Sequence, residues 1–120
     1  MEINVRRSRN VHILEVAGEL DFYNSSRLHR SVENLIDTRA SRLLIDLREV
    51  SFLDSSAVGT LVAVHAALRD KGLALQITGV DGSVKSALEL TGVARALPIA
   101  SSREEALAHL QSEDPHVGGP

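Results

Sequence analysis

The chain has 120 residues and a formal net charge of −3, which fits one domain and provides no global basic field for DNA or RNA. Aromatic residues make up only 2%, so aliphatic side chains must fill the core, and a stacking platform for single-stranded nucleic acid is not expected. The absence of cysteine excludes disulfides, thiolate metal sites and cysteine nucleophiles.

The sequence predicts a cytoplasmic protein without a membrane span. No apolar run approaches the roughly 20 residues that cross a bilayer. The segment Met1–Asn4 also lacks the apolar middle region with which a secretory signal peptide would continue.

A hairpin and a helix are predicted in the first third of the chain. Weak alternation over Ile3–Arg7 and clearer alternation over Val11–Val16 indicate two strands, and the turn-prone Arg9 and Asn10 lie between them. A helix is expected over residues 26–37, with caps offered by Asn24, Ser25 and Ser26. Its buried face would carry Leu28, Val32, Leu35 and Ile36.

A buried strand followed by a helix is predicted in the middle of the chain. The nearly continuous aliphatic run Leu43–Leu47 is typical of a strand covered on both faces, and a short loop is expected after it. The next helix begins near Ser55, a favoured N-cap residue, and Gly72 can end it. Its buried face would carry Val58, Leu61, Val62, His65 and Leu68.

The last third predicts two strands and two helices. Leu73–Thr78 indicates a strand and Val84–Leu90 a short helix, while Ala96–Ile99 indicates a short edge strand because Pro98 cannot donate to a ladder. The pairs Ser101/Glu104 and Ser102/Glu105 offer two overlapping capping boxes for a final helix with Ala106, Leu107 and Leu110.

The order of these elements predicts an α/β fold. It is a single domain with a mixed β-sheet of about five strands and about four α-helices, because helical crossovers imply parallel neighbours. The domain is expected to span residues 1–111, and the polar residues 112–120 are expected to form a disordered tail.

Known catalytic and ligand motifs are missing from the loops. Gly79–Gly82 lacks the patterns of a phosphate-binding loop and is interpreted as a turn with Asp81 or Ser83 as a cap. The five histidines have no metal-ligand spacing, so no metal site is expected. No G-x-S-x-G elbow surrounds Ser55 or Ser56, and His65 lies too far along the same helix to act as a base.

Ser55 therefore has two main interpretations. It is an ordinary helix cap, or it is a residue whose phosphorylation changes a surface. A phosphate there would add about −1.5 to −2 charges, and the helix N-terminus would offset part of them. Asp54, and Asp21 if it lies nearby, would be repelled.

The chain resembles the STAS domain of bacterial anti-sigma factor antagonists. The resemblance extends from about Ile3 to Leu110. The segments that carry it are Gly18–Asp21, Leu44–Leu47, Val50–Gly59, Leu90–Val93 and Ser102–Ala106. It implies four helices on a mixed sheet and a role in partner switching.

The resemblance also implies partners and site residues. The unphosphorylated antagonist would bind an anti-sigma factor, itself a serine kinase, and so release a sigma factor. The kinase would phosphorylate Ser55 and a PPM-type serine phosphatase would reverse this. The domain would need no cofactor of its own, because ATP belongs to the kinase. The implied partner-binding residues are Asp21, Asp54, Ser56, Ala57 and Val58.

One position departs from the family pattern D-S-[ST]-G-[LV]-G. Ala57 stands where the first glycine is expected, and its methyl group is expected to hinder close approach of a partner backbone slightly. Two other functions remain open. The chain could be a subunit of an assembly such as an ABC-type lipid transporter, with Ser55 only a cap, or an enzyme that uses Ser55 or Ser56 as a nucleophile.

Overall fold

The computed structural model describes residues 1–112, and these form four strands and four α-helices in one α/β domain. In chain order the elements are β1 (Glu2–Ser8), β2 (Val11–Leu20), α1 (Ser25–Asp37), β3 (Arg42–Leu53), α2 (Ser55–Asp70), β4 (Ala74–Thr78), α3 (Gly82–Leu90), a one-turn 3-10 helix (Ala94–Ala96) and α4 (Arg103–Ser112). The predicted fold class is confirmed. The predicted tail, from residue 113 onward, lies outside the described residues, while Ser112 ends α4.

The four strands form one mixed sheet in the order β1-β2-β3-β4. The predicted hairpin is confirmed, since β1 and β2 pair antiparallel and the turn places Arg9 in the left-handed region at φ 54°. β2, β3 and β4 are parallel neighbours. Leu20 and Leu53 are in register, so β2 and β3 end at the same edge of the sheet. The segments that follow these two strands therefore meet there.

β3 is longer than the sequence predicts, and the short loop expected after Leu47 is wrong. The strand continues to Leu53, because Val50 and Leu53 are buried and the end of β2 continues to pair with it. The exposed Arg48 and Glu49 interrupt the aliphatic pattern and hide this continuation. The extension leads β3 directly into α2.

The predicted fifth strand is reduced to one parallel bridge between Ile77 and Ile99. The N–H of Ile77 donates to the carbonyl of Pro98 at 2.8 Å, and the N–H of Ala100 donates to the carbonyl of Ile77 at 2.8 Å. Part of the predicted strand instead forms the 3-10 helix.

The core lies on both faces of the sheet. The larger part packs α1, α2 and α3 against one face, and a smaller part packs Ala106 and Leu110 of α4 against the other. The buried hydrophobic residues within residues 1–112 are all Leu, Ile, Val or Ala, as the low aromatic content predicts.

The buried face of α2 differs from the prediction at Val62, and the predicted His65 is only half-buried. Val62 is 38% exposed, whereas Val64 is buried together with Ala57, Val58, Leu61 and Leu68. Val64 follows Leu61 by three positions and precedes Leu68 by four, so it lies on the same helix face. At the start of α4 the Ser102 hydroxyl accepts from the Glu105 N–H at 3.0 Å, which is one of the two bonds of the predicted Ser102/Glu105 capping box, and the Glu105 carboxylate accepts from the Ser101 hydroxyl at 2.7 Å.

Candidate functional site

Asp54 begins α2 and is its N-cap. Its backbone is extended (φ −98°, ψ −178°), its Oδ1 accepts a hydrogen bond from the Ala57 N–H at 2.9 Å, and its carbonyl accepts from the Val58 N–H at 3.1 Å. The prediction that Ser55 caps this helix is therefore wrong. Ser55 is the first helical residue instead, because β3 ends at Leu53 and leaves only Asp54 between strand and helix.

The second carboxylate oxygen of Asp54 joins the start of α2 to the loop after β2. Asp54 Oδ2 accepts a hydrogen bond from the Phe22 N–H at 2.9 Å, and the Asp54 N–H donates to the Leu20 carbonyl at 3.3 Å. The sequence suggested that the Asp21 loop lies near this helix but could not establish it. The structure brings the two segments together through Asp54.

Asp21 organises the loop that contains it. Its Oδ1 accepts from the N–H groups of Tyr23 at 2.9 Å and Asn24 at 3.2 Å, while the Asn24 Oδ1 accepts from the Asp21 N–H at 2.9 Å. The Asn24 side-chain amide also donates to the Glu19 carbonyl at 2.8 Å. These bonds fix residues 21–24 as a tight turn before α1. The main role of the Asp21 carboxylate is therefore to stabilise its own loop.

Ser55 and Ser56 are both exposed in the first turn of α2. The first N–H groups of a helix lack intrahelical acceptors and carry partial positive charge. The first turn of α2 contains no acidic residue, and its N-cap is the carboxylate of Asp54. A negative group added at Ser55 would thus find favourable backbone donors and one unfavourable neighbour.

Ala57 and Val58 face the core rather than the solvent. They are 0% and 4% exposed, so neither side chain forms part of the outer surface. The Ala57 methyl group therefore fills space inside the protein and does not point toward a partner, contrary to the expectation that it hinders approach. These two residues fix the position of α2, and the exposed side chains around them form the surface.

Two aromatic residues beside this helix were missed as site residues. Phe22 is 66% exposed and Tyr23 is 92% exposed, and their ring centroids lie 5.6 Å apart. The sequence contains a feature that could have identified them, because the chain has only two phenylalanines and one tyrosine and all three lie near the ends of β2 and β3. Phe22 and Tyr23 come shortly after β2, and Phe52 comes just before the last residue of β3. The third, Phe52, is also exposed and lies two residues before Asp54.

A cluster of charged side chains lies on the α4 side of the sheet and does not belong to the surface around Ser55. Arg103, at the start of α4, contacts Glu15 at 2.8 Å and the buried Asp46 at 3.2 Å, and Arg6 also binds Glu15. Hydrogen bonds from Arg103 and then Arg6 lower the pKa of the Glu15 carboxyl below its ordinary value. The cluster joins α4 to β2 and β3 and has a structural role.

Residues 1–112 contain neither a cluster of metal-ligating side chains nor a membrane-crossing helix. No cluster of three or more His, Cys, Asp or Glu side chains there is placed to hold a metal ion. No helix in that part of the chain has both the length and the apolar character needed to cross a membrane.

The chain is similar to curated anti-sigma factor antagonists. It is 25% identical over 112 residues to the anti-sigma F factor antagonist of Paenibacillus polymyxa, a match that covers 92% of this chain and 96% of the relative. It is 30% identical over 99 residues to the anti-sigma-B factor antagonist of Listeria monocytogenes, covering 82% of this chain and 86% of the relative.

Solved structures share the fold. An anti-sigma factor antagonist from Mycobacterium paratuberculosis superimposes with a TM-score of 0.82 at 23% identity, covering 92% of this chain and 93% of the other. The phosphorylated form of the Bacillus protein SpoIIAA gives 0.67 at 18% identity, covering 90% and 98%. The STAS domain model matches residues 2–106, nearly the whole of the described fold. The chain therefore belongs to the STAS domain family.

Proposed function

We propose that the protein is an anti-sigma factor antagonist controlled by phosphorylation. In the unmodified state it binds an anti-sigma factor, itself a serine kinase, and thereby releases a sigma factor. The kinase transfers phosphate to Ser55 and ends the interaction, and a PPM-type serine phosphatase restores it. The protein acts in the cytoplasm as a binding regulator and catalyses no reaction itself, since ATP is bound by the kinase.

The observation that carries this proposal is the position of Ser55. It is exposed in the first turn of α2, directly after Asp54, whose carboxylate holds both the helix start and the neighbouring loop. A kinase can reach such a hydroxyl without unfolding the helix. The names of the Paenibacillus polymyxa and Listeria monocytogenes relatives, both anti-sigma factor antagonists, support the same function.

Electrostatics explain how phosphorylation would end binding while the fold survives. The helix N-terminus stabilises an added anion, so the phosphate leaves α2 intact. A partner surface that fits a neutral hydroxyl would instead bury an unpaired charge of about −1.5 to −2. Such burial costs several kcal/mol, which is enough to dissociate a complex of moderate affinity.

The proposed contact surface consists of the start of α2 and the loop after β2. Ser55, Ser56 and the exposed parts of Asp21 and Asp54 belong to it, and Ala57 and Val58 support it from the core. The two acidic side chains already accept internal hydrogen bonds. Their main contribution is therefore to hold the surface in one conformation.

The test uses purified anti-sigma factor kinases of the source organism, incubated with ATP and the wild-type protein, Ser55→Ala or Ser56→Ala. We expect mass spectrometry to find phosphate on wild type and Ser56→Ala and none on Ser55→Ala. Isothermal titration should show that Ser55→Ala binds as wild type and that Ser55→Asp binds about 100-fold more weakly. Ser86→Asp, which adds the same charge on the exposed surface of α3, is the matched control and should bind normally.

Equal affinity of Ser55→Asp and wild type would contradict the proposal. Ser55 would then be an ordinary helix residue, and recovery of transporter components with all variants would favour the assembly-subunit function. Covalent labelling of Ser55 or Ser56 by a fluorophosphonate would instead favour an enzyme.

A further inference from the structure

The aromatic residues of this chain have an unusual distribution. All three are exposed, and the buried hydrophobic residues within residues 1–112 are exclusively aliphatic. Large aromatic side chains gain most from burial, and tyrosine is enriched among the residues that dominate binding energy at interfaces. The core contains no aromatic side chain, whereas one surface loop exposes two adjacent ones. This distribution favours burial of the two rings in a complex.

We propose that Phe22 and Tyr23, here called the aromatic pair, insert into an apolar cleft of the anti-sigma factor and supply most of the affinity for it. This inference rests on the proposed function and adds to it the residues that determine partner recognition. The pair is 66% and 92% exposed, with ring centroids 5.6 Å apart and planes inclined by 52°. The two rings thus form one compact apolar projection.

The backbone beneath the aromatic pair is held rigidly. The Phe22 N–H donates to Asp54 Oδ2 and the Tyr23 N–H donates to Asp21 Oδ1, both at 2.9 Å. Asn24 closes the turn by accepting from the Asp21 N–H and donating to the Glu19 carbonyl. Binding by a turn that is already ordered loses little conformational entropy, which favours its use as a recognition element.

The aromatic pair is continuous with the surface around Ser55. Asp54 binds the Phe22 N–H with one carboxylate oxygen and the start of α2 with the other, and Ser55 is the next residue. The loop that carries the two rings therefore lies directly beside the start of α2, and one partner can contact both. This arrangement explains how a kinase bound through the aromatic pair would reach Ser55.

The surrounding charge favours a protein over a nucleic acid or an anionic membrane. The carboxylates of Asp21 and Asp54 lie against the backbone of the aromatic pair, and the whole chain carries a net charge of −3. Phosphate groups of nucleic acids or lipids would be repelled by these carboxylates. An apolar cleft with a neutral or basic rim complements this surface.

The experiment compares the full-length wild-type protein with Phe22→Ala, Tyr23→Ala and the double variant, each titrated with the same purified anti-sigma factor kinases. We expect about 30-fold weaker binding for either single variant. The swapped variant Phe22→Tyr/Tyr23→Phe should retain binding within a few-fold. Leu90→Ala is the matched control, because Leu90 is 87% exposed and ends α3, whereas the aromatic pair is near the start of α2.

The outcomes separate this inference from the proposed function. Wild-type affinity in the double variant, together with loss of binding in Ser55→Asp, would overturn the role of the aromatic pair alone. An equal loss in Leu90→Ala would also overturn it, since the effect would follow general surface hydrophobicity. A third outcome is that the wild type binds no kinase but self-associates, and that the double variant does not self-associate. This result would overturn both the inference and the proposed function, because the aromatic pair would then bind a second copy of this chain.

Discussion

The Phe22 N–H donates a hydrogen bond to Oδ2 of Asp54 at 2.9 Å, across 32 positions of the chain. The same carboxylate accepts from the Ala57 N–H through Oδ1, so one side chain fixes both a loop and the start of a helix. The residue before the proposed phosphorylation site is therefore also the support of the aromatic pair.

Substitutions of Asp54 separate these two roles. Asp54→Ala removes both acceptors and should lower the free energy of unfolding by about 1–2 kcal/mol through loss of the cap. Asp54→Ser retains a capping oxygen, so it should lose less stability, but its single short hydroxyl cannot replace both acceptors. Urea denaturation measures stability, and amide hydrogen exchange at Phe22 reports on the loop. Unchanged exchange at Phe22 in both variants would contradict the supporting role of Asp54.

The burial of Ala57 predicts the effect of restoring the glycine of the family pattern. Ala57→Gly removes a methyl group that is 0% exposed and adds backbone freedom within a helix. We expect the free energy of unfolding to fall by about 1–2 kcal/mol, from helix propensity and lost apolar burial. Affinity for the anti-sigma factor should stay unchanged. Tighter binding by Ala57→Gly would show that the methyl group does hinder the partner.

Ser55→Asp should leave the fold intact. Its carboxylate lies in the first turn of α2, where the helix dipole stabilises negative charge by about 0.3–1 kcal/mol, and repulsion from Asp54 offsets part of this gain. Thermal denaturation should therefore give a Tm within a few degrees of wild type. A large fall in Tm would mean that loss of partner binding in this variant reflects unfolding instead of a changed surface.

Glu15 predicts how stability depends on pH. Hydrogen bonds from Arg103 and Arg6 lower the pKa of Glu15 in the folded state below its ordinary value of 4.5. The unfolded chain then binds a proton at Glu15 more readily than the folded chain does. The stabilisation that ionised Glu15 provides is therefore complete above the ordinary pKa and is lost as pH falls through the folded-state pKa. Glu15→Gln should reduce the loss of stability between neutral and acidic pH, as measured by urea denaturation across that range. An identical pH profile for the variant would contradict this assignment.

Local patterns predicted the fold well, because helix and strand periodicity and turn residues act over short distances. The hairpin at Arg9 and the mixed sheet follow from them directly. The capping of α2 could not be predicted, since Asp and Ser are similarly favoured as caps and the choice depends on where β3 ends. That end is set by pairing with β2, which the sequence does not display.

The candidate site was predicted only in part for the same reason. Asp21, Asp54 and Ser55 were identified, but the bond from Asp54 to Phe22 joins segments that spacing alone cannot place together. The resemblance implies Ala57 and Val58 as partner-binding residues, because the motif identifies the segment and not the orientation of each side chain, whereas helical periodicity correctly predicts Val58 on the buried face. Phe22 and Tyr23 were missed, although their exposure is the clearest feature of the folded loop.

The most direct test of the central claim is a titration of the anti-sigma factor kinase with two forms of the protein. One form is unmodified and the other carries phosphoserine at position 55, introduced during synthesis and verified by mass spectrometry. We expect the phosphorylated form to bind about 100-fold more weakly while its Tm stays close to that of the unmodified form. Equal affinity of the two forms would contradict the phosphorylation switch.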